Sequence, residues 1–184
     1  MLWKWIAFAI ATVIIVYISR ASLQKPRSHG FYRFFAWECI AALFFLNVQQ
    51  WFQNPLAPYQ IVSWILLFAC IIPVVWGTLL LKRGGKPAET RAGEPNLLAF
   101  EKTTQLVTSG IYAYIRHPLY SSLLLLAWGI FFKIPSWPGA FLVVNTTEFL
   151  FLTARADENE CIAWFGSVYQ DYMQKTRRFI PFLF

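Results

Sequence analysis

The stretch YQIVSWILLFACIIPVVWGTLLL, residues 59–81, runs for 23 positions without a charged side chain. A helix rising about 1.5 Å per residue needs about 20 apolar residues to cross a hydrocarbon core about 30 Å thick, so this run is long enough to span a bilayer. Apolar runs flank it on both sides. Residues 2–18 are almost uninterrupted, 31–52 carry a single Glu, 119–132 are apolar but only 14 residues long, and 137–153 follow the turn signal KIPSWP at 133–138. The last two runs read as a tight helical hairpin. Of the 184 residues, 58% are hydrophobic, 19% aromatic and 14% charged. The apolar share exceeds the roughly 45–50% of soluble domains, and it is blocked into runs, not spread at amphipathic spacing. The expectation is an all-α integral membrane protein, one domain over 1–184, with five transmembrane helices at about 2–18, 31–52, 59–81, 119–132 and 137–153.

Charge gives this arrangement an orientation. Fourteen of the 16 Lys and Arg residues fall in or beside the first loop, the third loop and the C-terminal tail, leaving only Lys4 and Lys133 for the other side. Cytoplasmic loops carry the Lys and Arg excess. The N-terminus is therefore expected outside and the C-terminus in the cytoplasm, in a multi-pass protein of a prokaryotic inner membrane. Lys4 before an apolar core also fits a signal peptide, but no small-residue cleavage site precedes Arg20. The net charge of +7 belongs to one face, where it suits topology and anionic headgroups. No basic stripe interleaved with aromatic residues occurs in a water-soluble segment, which sets nucleic acid aside. Cys39, Cys70 and Cys161 are scattered and only His29 and His117 are present, so neither a disulfide framework nor a metal centre is expected.

Two cytoplasmic pieces are left, residues 82–120 and 155–184. Leu97, Leu98 and Phe100 argue for order in the first. The second begins as a continuation of the fifth span, with Asp157, Glu158 and Glu160 in one turn. It continues as CIAWFGSVYQDYMQKTRRFIPFLF, whose mixture of aromatic, apolar and basic residues suits an interface. A hairpin would bring these pieces to the same side. Arg116 offers a planar donor fork for a carboxylate or phosphate, His117 donates or accepts near neutral pH, and Asp157 and Glu158 accept from amines or ribose hydroxyls. Each has a plainer reading. Arg116 can be a snorkelling anchor, His117 a cap, and the acids a solvated turn.

The stretch LVTSGIYAYIRHPLY, residues 106–120, resembles the signature of the isoprenylcysteine carboxyl methyltransferase family. The tail resembles that family's second block, with the acidic pair Asp157-Glu158 followed by Phe165-Gly166, Tyr169, Tyr172 and Pro181. The resemblance covers roughly the C-terminal half. It implies a membrane methyltransferase using S-adenosylmethionine, related to the phospholipid methyltransferases, with the cofactor enclosed by the loop before the penultimate helix and by the C-terminal segment. A lipophilic acceptor, bearing a carboxylate, thiol or amine, would arrive through the bilayer.

Carried across by position, the resemblance implies that Leu106, Val107, Gly110, Tyr112, His117, Pro118 and Tyr120 line the cofactor pocket. Asp157, Glu158 and Tyr169 would contact the cofactor, and Arg116 with Glu158 would serve the methyl-transfer site. Ser122 stands where the family has Gly, Asp157 replaces the first Glu of the acidic pair, and Cys161 replaces a common Leu, so the acceptor is less legible than the cofactor. Ser122, Asn145 and Glu148 are the acceptor-binding candidates. The segment RADENEC at 155–161 also looks like part of a sterol reductase block that holds NADPH, although those enzymes need about twice as many spans. A membrane scaffold without turnover is a third reading. Of the two intramembrane acids, Glu148 is a cavity candidate and Glu38 is expected to form a salt link near Arg33.

Overall fold

In a computed structural model of the chain, residues 2–86 and 103–181 are described. Leu97, Leu98 and Phe100, expected to be ordered, lie outside them. The described residues are helical: α1 Leu2–Leu23, α2 His29–Asn47, α3 Pro58–Ala69, α4 Ile71–Gly84, α5 Pro118–Phe131, α6 Trp137–Phe165 and α7 Ser167–Lys175. No sheet forms among them, and one isolated parallel bridge joins Ile115 to Arg177.

Among the described residues, three segments are long and apolar enough to cross a membrane, Leu2–Leu23, His29–Gln50 and Pro58–Gly84, and Pro118–Phe131 is a shorter apolar helix. The third contains the uncharged run expected to be one helix. The structure breaks it at Cys70 into α3 and α4. Pro73 supplies the reason, because it lacks the N–H that would bond the carbonyl of Ala69. α6 begins with an apolar stretch and continues for 29 residues, so its second half projects beyond the hairpin with the acidic turn on it. Pro118 and Pro138 occupy first-turn positions of α5 and α6, where a missing N–H costs nothing.

Exposed apolar side chains crowd α1, α3 and α4, including Ile10, Val13, Ile65, Phe68 and Ile72. In water this would be a severe liability, whereas a bilayer is their natural solvent. The interior holds two clusters. Ala36, Tyr120, Leu150, Ala154 and Phe179 pack near the acidic turn, and Leu43, Ala127, Ile130 and Val143 pack nearer the α5–α6 turn.

Polar side chains join helices at that turn. Ser63 Oγ donates to Gly129 O at 2.6 Å, Asn47 Nδ2 to Ile130 O at 2.9 Å, and Gln60 Nε2 to Lys133 O at 2.9 Å. These carbonyls lie at or just past the C-terminal end of α5, where the helix ladder runs out, and α2 and α3 supply donors to them. Gly129 lets α3 approach, since a Cβ there would sit 2.9 Å from Leu67 Cδ2 and 3.2 Å from its backbone nitrogen. Lys133, one of the two basic residues left for the outer side, is fully buried. Its Nζ donates to Gln60 Oε1 and lies 3.4 Å from the ring centre of Trp64, so a cation–π contact replaces water.

The two intramembrane acids occupy different settings. Glu38 makes no salt link among the described residues. Its Oε2 accepts from Thr12 Oγ1 of α1 at 2.9 Å, because α1 packs along α2 at that depth and Arg33 instead stacks on Trp37. Glu148 is on the exposed face of α6.

Candidate active site

The site is assembled at the end of the hairpin opposite Lys133, from the segment preceding α5, the acidic turn of α6, and α7 with the tail after it. Gly110 begins a 3-10 turn over Gly110–Ala113 with φ +62, and a Cβ there would lie 2.6 Å from Leu80 Cδ1. Only glycine accepts both the left-handed backbone and the contact with α4. The chain then extends. His117, just before a proline, is held out of the helical region at φ −123 and ψ 61.

This extended segment pairs with the tail. Arg116 N donates to Arg177 O at 2.8 Å, His117 N to Arg178 O at 3.1 Å, and Arg177 N to Tyr114 O at 3.0 Å. Ser121 Oγ reaches Phe179 O at 2.9 Å. The side chain of Arg116 ties the two further, its Nη1 donating to the carbonyls of Met173 and Thr176. Gly166, at φ +64, separates α6 from α7 and turns the chain back so that Tyr169 and Tyr172 are buried, with Tyr172 OH donating to Tyr112 O at 2.6 Å.

Glu158 is the centre of the charge network. It is 3% exposed and faces three cationic groups. Arg116 Nε donates to Oε1 at 2.9 Å, Arg178 donates to Oε1 at 3.1 Å and to Oε2 at 2.6 Å, and His117 Nε2 lies 3.4 Å from Oε1. Asp157 sits on the other side of the imidazole, with Oδ2 3.4 Å from His117 Nδ1 and 3.3 Å from Tyr120 OH. The His117 ring stacks on Tyr120 at 5.3 Å.

Burial alone would depress the His117 pKa, but hydrogen bonds from its two nitrogens to Asp157 and Glu158, and their charges, raise it above 6.5. Burial would likewise raise both carboxyls. The His117 hydrogen bond, the charges of His29 and His117 and the Tyr120 hydroxyl instead bring Asp157 down to about 2. His117, Arg178 and Arg116 hold Glu158 well below the usual carboxylate range. Burial pushes the phenols of Tyr169 and Tyr172 up, keeping them neutral.

These groups border a cavity of about 100 Å³ that opens to the surface. Leu106, Val107, Tyr112, Arg116, His117, Pro118, Tyr120, Asp157 and Tyr169, all singled out from the sequence, line it. So do Leu81, Thr103, Leu119, Cys161, Phe165 and Tyr172. Two of the expected cofactor contacts stand elsewhere: Gly110 packs against α4, and Glu158 lies behind His117, enclosed by its cationic partners. The structure does not bring the acceptor candidates into the cavity. Ser122 Oγ bonds back to Leu119 O within α5, Asn145 Nδ2 to Phe141 O, and Glu148 is exposed on α6.

Arg178 and Leu81 gave no local signal in the sequence. The first looked like one more basic tail residue. The second ends an apolar run and joins the site only through the packing of α4.

The cavity suits S-adenosylmethionine on its own chemistry. Aromatic faces from Tyr112, Tyr120, Phe165, Tyr169 and Tyr172 offer surfaces for a purine and for a sulfonium cation. Asp157, ionised across the physiological range, can accept from ribose hydroxyls or an ammonium.

Residues 96–165 match the model of the family described as phospholipid methyltransferase, PEMT. The match spans the segment before α5, both arms of the hairpin and the acidic turn, and stops at the end of α6. No curated protein and no solved structure matches the chain. The matching family model covers the segment before α5 and the acidic turn of α6, which form part of this cavity, and the protein is an S-adenosylmethionine-dependent methyltransferase of the membrane.

Proposed function

We propose that the protein moves a methyl group from S-adenosylmethionine to a lipophilic, membrane-associated acceptor, in the manner of the isoprenylcysteine carboxyl methyltransferases and of the phospholipid methyltransferases named by the matching family model. The observation carrying this reading is the position of the cavity. One wall is made by Leu81, Pro118 and Leu119 of apolar helices, and the other by Asp157, Cys161 and the tyrosines of α7. A polar cofactor and an apolar acceptor could meet there from opposite sides. In the orientation we favour there are five spans, with α5 and α6 as the last two, the N-terminus outside and the cavity on the cytoplasmic side, where the basic residues lie.

The bound cofactor supplies an electrophilic methyl on a sulfonium sulfur. In-line displacement consumes positive charge, so the chain needs alignment and exclusion of water more than a strong acid or base. Asp157 would hold the cofactor's hydroxyl or ammonium groups, and the aromatic residues would hold its rings. Leu106, Val107, Pro118 and Leu119 would keep water away. Arg116 and Glu158 act as one unit that fixes the segment before α5 to the tail. Asn145 and Glu148 would meet an acceptor approaching along the exposed face of α6, with Ser122 setting the packing of α5.

The test is to incubate membranes containing the protein with methyl-labelled S-adenosylmethionine and identify what becomes labelled. Label in a lipid-extractable molecule, above that of membranes lacking the protein, is the expected result. Labelling equal to the control, or confined to water-soluble products, would overturn the reading.

A further inference from the structure

α2 begins outside the stretch that the family model matches, yet its first residue reaches the acidic turn of α6. His29 is fully buried. Its Nδ1 lies 2.6 Å from Glu160 Oε2, and its backbone N–H donates to Glu160 Oε1 at 2.9 Å. Ser28 caps α2 through its hydroxyl, and Glu160 adds a carboxylate to the same helix start, where the dipole favours negative charge, and receives the imidazole with its second oxygen.

Glu160 follows Asp157 by three residues and precedes Cys161 by one. Spacings of three and four place Asp157, Glu160 and Cys161 along one side of α6. Asp157 and Cys161 line the cavity. The Cys161 thiol lies 3.7 Å from Asp157 Oδ1, and Tyr120 and His117 hold Oδ2. Asp157 is thus held within the site, while α6 beneath it is held by α2.

We propose that His29 and Glu160 are a positioning pair for the cofactor site, fixing the start of α2 against the acidic turn so that Asp157 stays directed into the cavity. The proposal rests on the reading that Asp157 binds the cofactor's polar groups. It gives the N-terminal half a part in cofactor binding without contact to the cofactor. The charge of His29 favours the ionised form of Asp157, which acts in the same direction.

The experiment measures the affinity of the full chain in detergent for S-adenosylhomocysteine, alongside its thermal midpoint. His29→Ala is expected to weaken binding about tenfold, the scale of one lost hydrogen bond to a charged group. His29→Asn places an amide N–H near the position of Nδ1 and should restore binding to within about threefold, a rescue that mere loss of packing would not show. Glu160→Gln should weaken binding, and the double variant with His29→Ala should bind no worse than the weaker single, as expected of one coupled unit. Wild-type affinity in His29→Ala, or equal weakening by Ala and Asn, would overturn the proposal. If His29→Ala does not fold, His29→Asn and Glu160→Gln decide it, since unchanged affinity in Glu160→Gln has the same overturning force. A wild-type chain that fails to bind S-adenosylhomocysteine would remove the cofactor reading itself, which is a different result from normal wild-type binding with indifferent variants.

Discussion

Arg178 and Glu158 meet at two points, Nε to Oε1 at 3.1 Å and Nη2 to Oε2 at 2.6 Å, and this contact fastens the tail to the acidic turn of α6. The Arg178 guanidinium also lies 4.8 Å from the centre of the Phe151 ring. A fork on a carboxylate has fixed geometry, so the tail is held in register as well as in place. Removing Glu158 leaves Arg116, Arg178 and His117 crowded without their common anion. Glu158→Gln should cost about 3–5 kcal/mol, the scale for a broken buried pair, and lower both methyl transfer and the thermal midpoint. Arg178→Lys keeps the charge but loses the fork. It should retain folding and lose part of the S-adenosylhomocysteine affinity, measured by titration calorimetry. Full retention of both stability and affinity in Glu158→Gln would show that the network is not what holds the tail.

The same network sets a pH window. The folded pKa of His117 is raised above 6.5, so its contribution to stability is complete below that value and is lost as pH rises through the raised pKa. Asp157 is lowered from 3.8 to about 2, so its contribution is present above 3.8 and is lost as pH falls toward 2. Together they contribute fully between 3.8 and 6.5. The difference in thermal midpoint between wild type and His117→Gln should be largest in that interval and shrink on both sides. A difference independent of pH would show that the imidazole carries no charge in the fold.

Much of this was legible because lipid and proline leave strong marks. Uncharged runs announce spans, and KIPSWP announces the hairpin turn. Gly110, His117, Pro118 and Tyr120 lie close together in one stretch, so a pattern of residues could carry them, and the pair at 157–158 comes with its own helix. What stayed hidden depends on pairs far apart in sequence. Nothing near His29 announces a carboxylate 131 residues away, and nothing near Lys133 announces Trp64. The roles within the acidic pair were also hidden, because neighbouring helix residues point about 100° apart. Asp157 faces the cavity and Glu158 faces the arginines.

Gly110 tests the shape of the segment before α5. An alanine there must adopt φ +62, at a cost of about 1–2 kcal/mol, and its Cβ would press on Leu80 of α4. Leu80 ends in a flexible side chain, so the fold should survive. The turn carrying Tyr112 should shift, and with it the bond from Tyr172 OH to Tyr112 O. Gly110→Ala is expected to weaken S-adenosylhomocysteine binding while lowering the thermal midpoint only modestly. Unchanged affinity would mean that the turn does not set the cavity.

Lys133 provides the converse case, a buried residue at the end of the bundle away from the cavity. Its partners Gln60, Trp51 and Trp64 bind the α5–α6 turn to α3 and to the end of α2. Lys133→Ala removes the cation–π contacts and the bond to Gln60, and should lower the thermal midpoint by several degrees. S-adenosylhomocysteine affinity, measured well below the new midpoint, should stay at the wild-type value. Loss of affinity in a folded Lys133→Ala protein would show that the two ends of the hairpin are coupled.

The thiol of Cys161 reports on occupancy of the cavity. It lines the cavity beside Asp157 and Phe165, whereas Cys39 and Cys70 lie along the apolar helices. In a Cys39→Ala, Cys70→Ala background the remaining thiol can be followed by its rate of alkylation with a small maleimide. A molecule seated against Asp157 must also cover the sulfur 3.7 Å from that carboxylate. Saturating S-adenosylhomocysteine should therefore slow alkylation at least tenfold, roughly the protection given by ten times the dissociation constant. NADPH at the same concentration should leave the rate unchanged. Protection by NADPH alone would reassign the cavity to a dinucleotide, and protection by neither would place the cofactor outside it.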